Sequence, residues 1–151
     1  VGIPQFVNGE KNGTTPFEVA EALLKMSEKT LNELKQIDIK SITDKELLQT
    51  ISDIKALALL GGYYSNKISA STNKAFWDKT SDAKYKKAAI KDLQKASQYW
   101  WAYSHQVDSL YKPMFYSRLR KNINILNIQK YVDEEITDLG GKIPDRMKLA
   151  K

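Results

Sequence analysis

Residues 45–77 read KELLQTISDIKALALLGGYYSNKISASTNKAFW. Within them Leu47, Ile51, Ile54, Ala58, Gly61, Ser65, Ile68, Thr72 and Ala75 recur at alternating spacings of four and three. That period keeps one face of an α-helix turned toward one neighbour. Thr43 or Asp44 stands where a helix N-cap is needed. The spacing predicts a single helix running to about Trp77, about 50 Å long at 1.5 Å per residue. Gly61-Gly62 sits in its middle, and each glycine costs about 1 kcal/mol against alanine in a helix interior. A break there into two shorter helices is the alternative. The stripe keeps its phase across the glycines, which favours one helix. Ala58, Gly61 and Ser65 make the stripe small at this point, so a neighbouring helix or a bulky ring can approach closely.

The segments on either side repeat this logic. Thr15, Pro16 and Glu18 form a capping box with a proline at the first helical position. Phe17, Ala20, Leu24, Ser27, Leu31 and Leu34 continue it as an amphipathic helix over residues 16–36, with Ser27 as the polar break in the stripe. Downstream, a helix begins near Ser81-Asp82. Ala89, Leu93, Ala96, Trp100, Tyr103, Val107 and Leu110 form its stripe, and Pro113 ends it. Its small residues come early and its rings late, complementing the reverse order on an antiparallel partner. Residues 114–124 read as irregular or as a short helical turn. A shorter fourth helix starts after Asn124 or Asn127, with Ile128, Val132, Ile136 and Leu139 on its stripe and Gly140-Gly141 at its end. No segment alternates with period two, so no sheet is expected. The expected fold is all-α, an antiparallel up-down bundle of three long helices plus a shorter fourth. Residues 1–15 are expected as an extended leader or linker, residues 16–140 as the bundle domain, and residues 141–151 as a tail.

Composition narrows the chemistry. The 151 residues are 42% apolar and 28% charged, as in ordinary globular domains. There is no cysteine, which excludes disulfides, thiolate metal sites and a cysteine nucleophile. A single histidine, His105, excludes two-histidine zinc motifs. No basic segment followed by an apolar run opens the chain, and no apolar run reaches the ~20 residues of a membrane span. A start at Val1 rather than methionine reads as a fragment of a longer protein.

The net charge of +6 is uneven. Residues 1–60 carry seven lysines and nine acids, whereas residues 61–151 carry 17 Lys/Arg and nine acids. No acid falls between Asp108 and Asp133, and Lys112, Arg118, Arg120 and Lys121 make a candidate anion-binding patch there. Rings interleave with these bases from Tyr111 to Arg120, a mixture that can bind single strands, yet no nucleic-acid signature accompanies it. Nucleic acid is therefore not the favoured partner. His105 has no nucleophile and orienting group at recognisable spacing. Asp133, Glu134, Glu135 and Asp138 read as a solvated acidic face. No phosphate-cradling loop is present. No catalytic residue, metal ligand or cofactor is assigned.

The rings on the third long helix stand out. Tyr99, Trp100, Trp101 and Tyr103 point around the helix at about 100° per residue, so they cannot share one core. Trp100 and Tyr103 fit the stripe, which leaves Tyr99 and Trp101, with Trp77, as a candidate aromatic contact face. A second core face, an interdomain contact and a platform for a flat ligand are the three readings of it.

Three stretches together carry a family resemblance. Residues 54–68, IKALALLGGYYSNKI, resemble a run of leucine-alanine-leucine-leucine-glycine-x-tyrosine-tyrosine-x-x-lysine-isoleucine. Ala89 to Tyr103, through Leu93, Ala96 and Trp100, is similar to a leucine-x-x-alanine-x-x-x-tryptophan-x-x-tyrosine run, and Tyr111-Lys112-Pro113 to the tyrosine-lysine/arginine-proline that comes after it. This pattern resembles the C-terminal-side α-helical module of secreted bacterial multidomain glycoside-hydrolase-like proteins, α-glucuronidase-like and bearing carbohydrate-binding modules. The likeness spans residues 16–137. It departs where the family carries an aspartate-tryptophan pair and this chain reads Ile125-Leu126-Asn127.

The resemblance implies a non-catalytic accessory domain of a secreted, periplasmic or cell-surface polysaccharide-processing protein. Its partners are then the other domains of the parent chain, with polysaccharide as a further candidate. The alternative is a binding module for acidic glycan or nucleic acid, acting through the basic-aromatic patch.

Overall fold

A computed structural model describes residues 1–118 and 120–146, with Met114, Tyr116 and Lys121 described by their backbone alone. The first element is a short helix, α1 (Ile3–Val7), started by a proline in its first turn. It corrects the reading of residues 1–15 as an extended leader. Phe6 meets the edges of Phe17 and Phe76, each at 5.8 Å between ring centroids. The Lys79 ammonium donates to the Val7 carbonyl (2.9 Å) and the Asn8 side chain (3.1 Å). Five residues are too few to hold a helix alone, so these contacts are what hold it.

Helix α2 (Pro16–Leu34) begins as its sequence requires. The Glu18 amide donates to Thr15 Oγ1 at 3.3 Å, and the Thr15 amide donates to the Glu18 carboxylate at 2.7 Å. The Thr15 amide and the Thr15 hydroxyl (2.8 Å) both donate to the Glu18 carboxylate and hold it below its ordinary pKa. After a 3-10 turn (Ile39–Ser41), helix α3 (Lys45–Thr80) runs unbroken for 36 residues, capped by Asp44. It ends where Ser81 takes a left-handed backbone conformation, φ 56°. Helix α4 (Ala83–Leu110) is capped by Asp82.

Close approach binds α2 to α3. The Ser27 hydroxyl donates to the Ala58 carbonyl at 2.7 Å, and the Ser65 hydroxyl donates to the Ala20 carbonyl at 2.6 Å. Ser27, the break in the α2 stripe, is thus a packing device, and it is buried. The other face of the glycine pair admits a ring. A Cβ on Gly62 would lie 2.3 Å from the Tyr99 ring, whereas one on Gly61 would meet only Ser27 Cβ, at 3.8 Å. At Gly62 the space that a side chain would occupy is filled by the Tyr99 ring from α4, whereas Gly61 faces α2.

Pro113 ends α4, but residues 114–116 and 121–123 are neither irregular nor helical. Strands β1 (Met114–Tyr116) and β2 (Lys121–Ile123) pair antiparallel, with Phe115 opposite Asn122. This two-stranded hairpin corrects the expectation of no sheet. A 3-10 turn (Ile125–Ile128), capped by Asn124, leads into α5 (Gln129–Asp138). The architecture is an all-α helical bundle, with α3 at its centre and the hairpin as a small addition.

The core forms two clusters. In one, Ala70, Ala89, Leu93, Ile136 and Leu139 pack with Trp77 and Ile90 at the edge. In the other, Leu59, Tyr99 and Ala102 gather Leu24, Leu31, Tyr63, Trp101 and Tyr103 around them. Residues 141–146 do not stand off as a tail. Gln94 donates to the Lys142 carbonyl and Gln98 to the Asp145 carbonyl, each at 2.8 Å. Residues 147–151 of the expected tail lie outside the described residues.

Candidate functional site

The predicted aromatic face is divided between the two clusters. Tyr99 is 8% exposed, its ring seated over Gly62, so it belongs to the core and not to a surface. Burial pushes its hydroxyl above the ordinary tyrosine pKa. Trp101 is half-buried beside it and lies against His105 at 4.1 Å between centroids. Trp77 packs against the other cluster, with the Lys86 ammonium 4.9 Å from its ring. The structure does not bring these three rings together. Trp100 and Tyr103 do meet, at 5.3 Å, and Trp100 packs on Tyr63 at 4.9 Å. Burial pushes the Tyr63 hydroxyl up to about 12.

The acidic residues of α5 are not one solvated face either. Asp133 is buried. Its Oδ1 accepts from the Ser97 hydroxyl at 2.6 Å and from the Gln129 amide at 3.0 Å, and its Oδ2 pairs with Arg146. Glu135 pairs with Lys67 across to α3. Glu134 and Asp138 remain exposed. Among the described residues no cluster of carboxylates and histidine is arranged to hold a metal ion. His105 is exposed, its Nδ1 2.8 Å from the Trp101 carbonyl oxygen within its own helix.

The basic patch falls on the hairpin and the loop before it. Lys112 is exposed on that loop, and Arg118 and Arg120 are exposed in the turn. Arg120 takes a left-handed conformation, φ 49°, and its amide donates to the Ser117 carbonyl. Lys121 opens β2, and its side chain lies outside the described residues. None of Lys112, Arg118 and Arg120 makes an ion pair among the described residues.

Two features that the sequence did not announce lie beside this hairpin. The first is a cleft of about 470 Å³ between the first half of α3, the last turns of α4 and the hairpin. Ala56, Leu57, Val107 and Ile123 make much of its lining. At its edge the Tyr111 hydroxyl donates to Asp53 Oδ1 at 2.6 Å, while the Gln49 amide donates to the same oxygen at 3.0 Å. Bonding to Asp53 holds the Tyr111 hydroxyl above its ordinary pKa. Gln49 and Asp53 sit four apart, a readable helical pair. Tyr111 is 58 residues away, and nothing local announces it.

The second is a shallower groove of about 260 Å³ between α2 and α3, which shares Leu57 with the cleft. Along it Met26 and Leu57 are each 67% exposed and Ile54 is 41% exposed. Leu47, a heptad before Ile54, is 47% exposed. The stripe read as a seam is therefore split. Ile51, Ala58, Ser65 and Thr72 are buried, whereas Leu47 and Ile54 face outward. No helix among the described residues is long and apolar enough to cross a membrane. No family model, no curated protein and no solved structure matches the chain.

Proposed function

We propose that this bundle is a non-catalytic interaction domain of a larger secreted or cell-surface polysaccharide-processing protein, packing against another domain of its parent chain. The observation that carries the reading is the outward apolar row of Ile54, Leu57 and Met26 along the α2–α3 groove, with Leu47 exposed a heptad earlier on α3. A row of large aliphatic side chains on adjoining helices is what a domain interface leaves behind when its other half is taken away. The resemblance of residues 54–68, 89–103 and 111–113 to helical accessory modules supports the same assignment.

Hydroxyl-radical footprinting tests it on Met26, a readily oxidised side chain. In the longer polypeptide Met26 and Leu57 are expected to be protected several-fold relative to the isolated chain. Equal reactivity in both would overturn the reading. Affinity electrophoresis through neutral xylan, glucuronoxylan and heparin is expected to leave the isolated chain unretarded. The alternative, an acidic-glycan module, is favoured by the joint exposure of Lys112, Arg118 and Arg120 at the hairpin. It predicts retardation by heparin or glucuronoxylan that collapses as salt rises.

A further inference from the structure

The cleft beside the hairpin shares Leu57 with the outward row on the α2–α3 groove but has a chemistry of its own. Its volume of about 470 Å³ falls within the range of small-molecule sites, roughly 300–1,000 Å³. Its floor is aliphatic, from Ala56, Leu57, Val107 and Ile123, and Tyr103 and Tyr111 add rings. Its fixed negative charge comes from two carboxylates on different helices, Asp53 on α3 and Asp108 on α4.

Neither carboxylate is neutralised by an ion pair among the described residues. Asp53 is held in place by neutral donors, Tyr111 and Gln49, and both bonds fall on Oδ1. These donors leave its charge uncompensated, and Oδ2 takes neither of the two bonds. Among the described residues, Lys112 is the one cation on the lining, exposed on the loop before β1. Two carboxylates against one lysine make the described lining of the cleft net negative, on a chain that is otherwise basic and beside a hairpin turn that carries Arg118 and Arg120. Asp53 is half-buried, and charge partly withdrawn from water acts more strongly than charge in open water, whereas Asp108 is exposed. Tyrosine faces add attraction for a cation.

We propose that this cleft binds small amphiphilic ammonium compounds, the alkyl or aryl body lying on the aliphatic floor and the cationic head held by Asp53 and Asp108. Asp53 is preset by α3 and Tyr111, so that carboxylate is already in place when the ligand arrives.

The test uses three probes of one size and three charges: hexylammonium, 1-hexanol and hexanoate. Each is titrated into the isotopically labelled chain while backbone amide resonances are followed. Hexylammonium is expected to shift the amides of Ala56, Leu57, Val107 and Ile123. It is expected to bind at least about tenfold more tightly than hexanoate, with hexanol between them, the margin expected of charge in a partly desolvated cleft. Asp53→Asn keeps an acceptor for Tyr111 and is expected to weaken hexylammonium several-fold while leaving hexanol unchanged. Asp108→Asn, at an exposed position, is expected to do the same. Lys112→Ala is expected to strengthen hexylammonium. Hexanoate binding as tightly as hexylammonium would overturn the proposal, as would shifts that map away from the cleft. So would Asp108→Asn and Lys112→Ala variants that fold normally and bind hexylammonium unchanged.

Discussion

The two ends of the α3–α4 pair are finished differently. At the end holding Ala70, Ala89 and Leu93, helix α5 lies across the groove and residues 141–146 are fastened beside it. Ala89 and Ile136 are fully buried there. At the other end, the first half of α3 and the last turns of α4 meet a small hairpin, and between them the cleft stays open. Length accounts for the difference. Helix α5 has ten residues, whereas α4 has 28, so at 1.5 Å per residue α5 covers only about a third of its neighbour. A bundle with one short helix has a finished half and an unfinished one. The closed half buries its side chains under α5, and the open half leaves a cleft exposed to solvent.

That contrast is sharpest in the core. Ile136→Ala in the closed half is expected to cost about 2–5 kcal/mol in chemical denaturation, as for other buried large-to-small changes. Leu57→Ala in the open half is expected to change stability by no more than about 0.5 kcal/mol. Equal costs would erase the distinction between the halves.

Charge pairs give the next largest contrast. Arg146 faces the buried Asp133, which Ser97 and Gln129 also hold. Arg146→Ala leaves that carboxylate without its cation and is expected to cost about 2–3 kcal/mol, less than for a fully buried pair because Arg146 is partly exposed. Lys74→Ala breaks an exposed i,i+4 pair with Asp78 and is expected to cost under about 1 kcal/mol.

The paired glycines separate the halves at their boundary. Gly61→Ala meets Ser27 Cβ at ordinary contact distance and is expected to gain about 0.5–1 kcal/mol from helix propensity. Gly62→Ala drives a methyl into the Tyr99 ring and is expected to lose about 1–3 kcal/mol, overpacking outweighing the propensity gain. A Gly62→Ala variant as stable as wild type would mean that Tyr99 is free to move.

The smallest effect is electrostatic. Burial pushes the Asp92 carboxyl above its ordinary value of 3.8, opposed by its hydrogen bond from Asn73. With the folded pKa raised, its contribution to stability is fully present below pH 3.8 and is lost as pH rises through the folded value. Asp92→Asn keeps an acceptor for Asn73 and is expected to stabilise the chain slightly at neutral pH. It is also expected to flatten the stability change between acid and neutral pH. Urea midpoints at the two pH values read both effects.

Where helices run long, local sequence was a sufficient guide. The capping box at Thr15, the unbroken phase across Gly61-Gly62 and the stop at Pro113 each rest on neighbours within a turn or two. Tyr99 shows the limit. Its partner is the space at Gly62, 37 residues earlier in the chain, and the stripe pointed to Gly61 instead. Helix α1 was illegible because five residues carry no period, and Phe6 is fixed by Phe76 from far along the sequence. The hairpin has three-residue strands, too short to show alternation. The cleft was hidden for the same reason as α1. Gln49 and Asp53 are a visible pair, but Tyr111 and Ile123 reach them only through the fold. Lys112, Arg118 and Arg120 were visible as a patch, yet their place beside an aliphatic cleft was not.

The two serine bonds between α2 and α3 have a mechanical consequence. Ala20 and Ser27 lie seven residues apart, as do Ala58 and Ser65, and each helix gives one hydroxyl and one carbonyl. One such bond would be a pivot, about which the helices could swing. Two, about 10 Å apart along the axes, act as paired dowels that forbid both sliding and swinging. A pull that drew α2 lengthwise along α3 would have to shear both together, whereas a pull that peeled α2 away would open them one at a time. A load reaching the bundle from either side would thus meet a stiff direction and a compliant one.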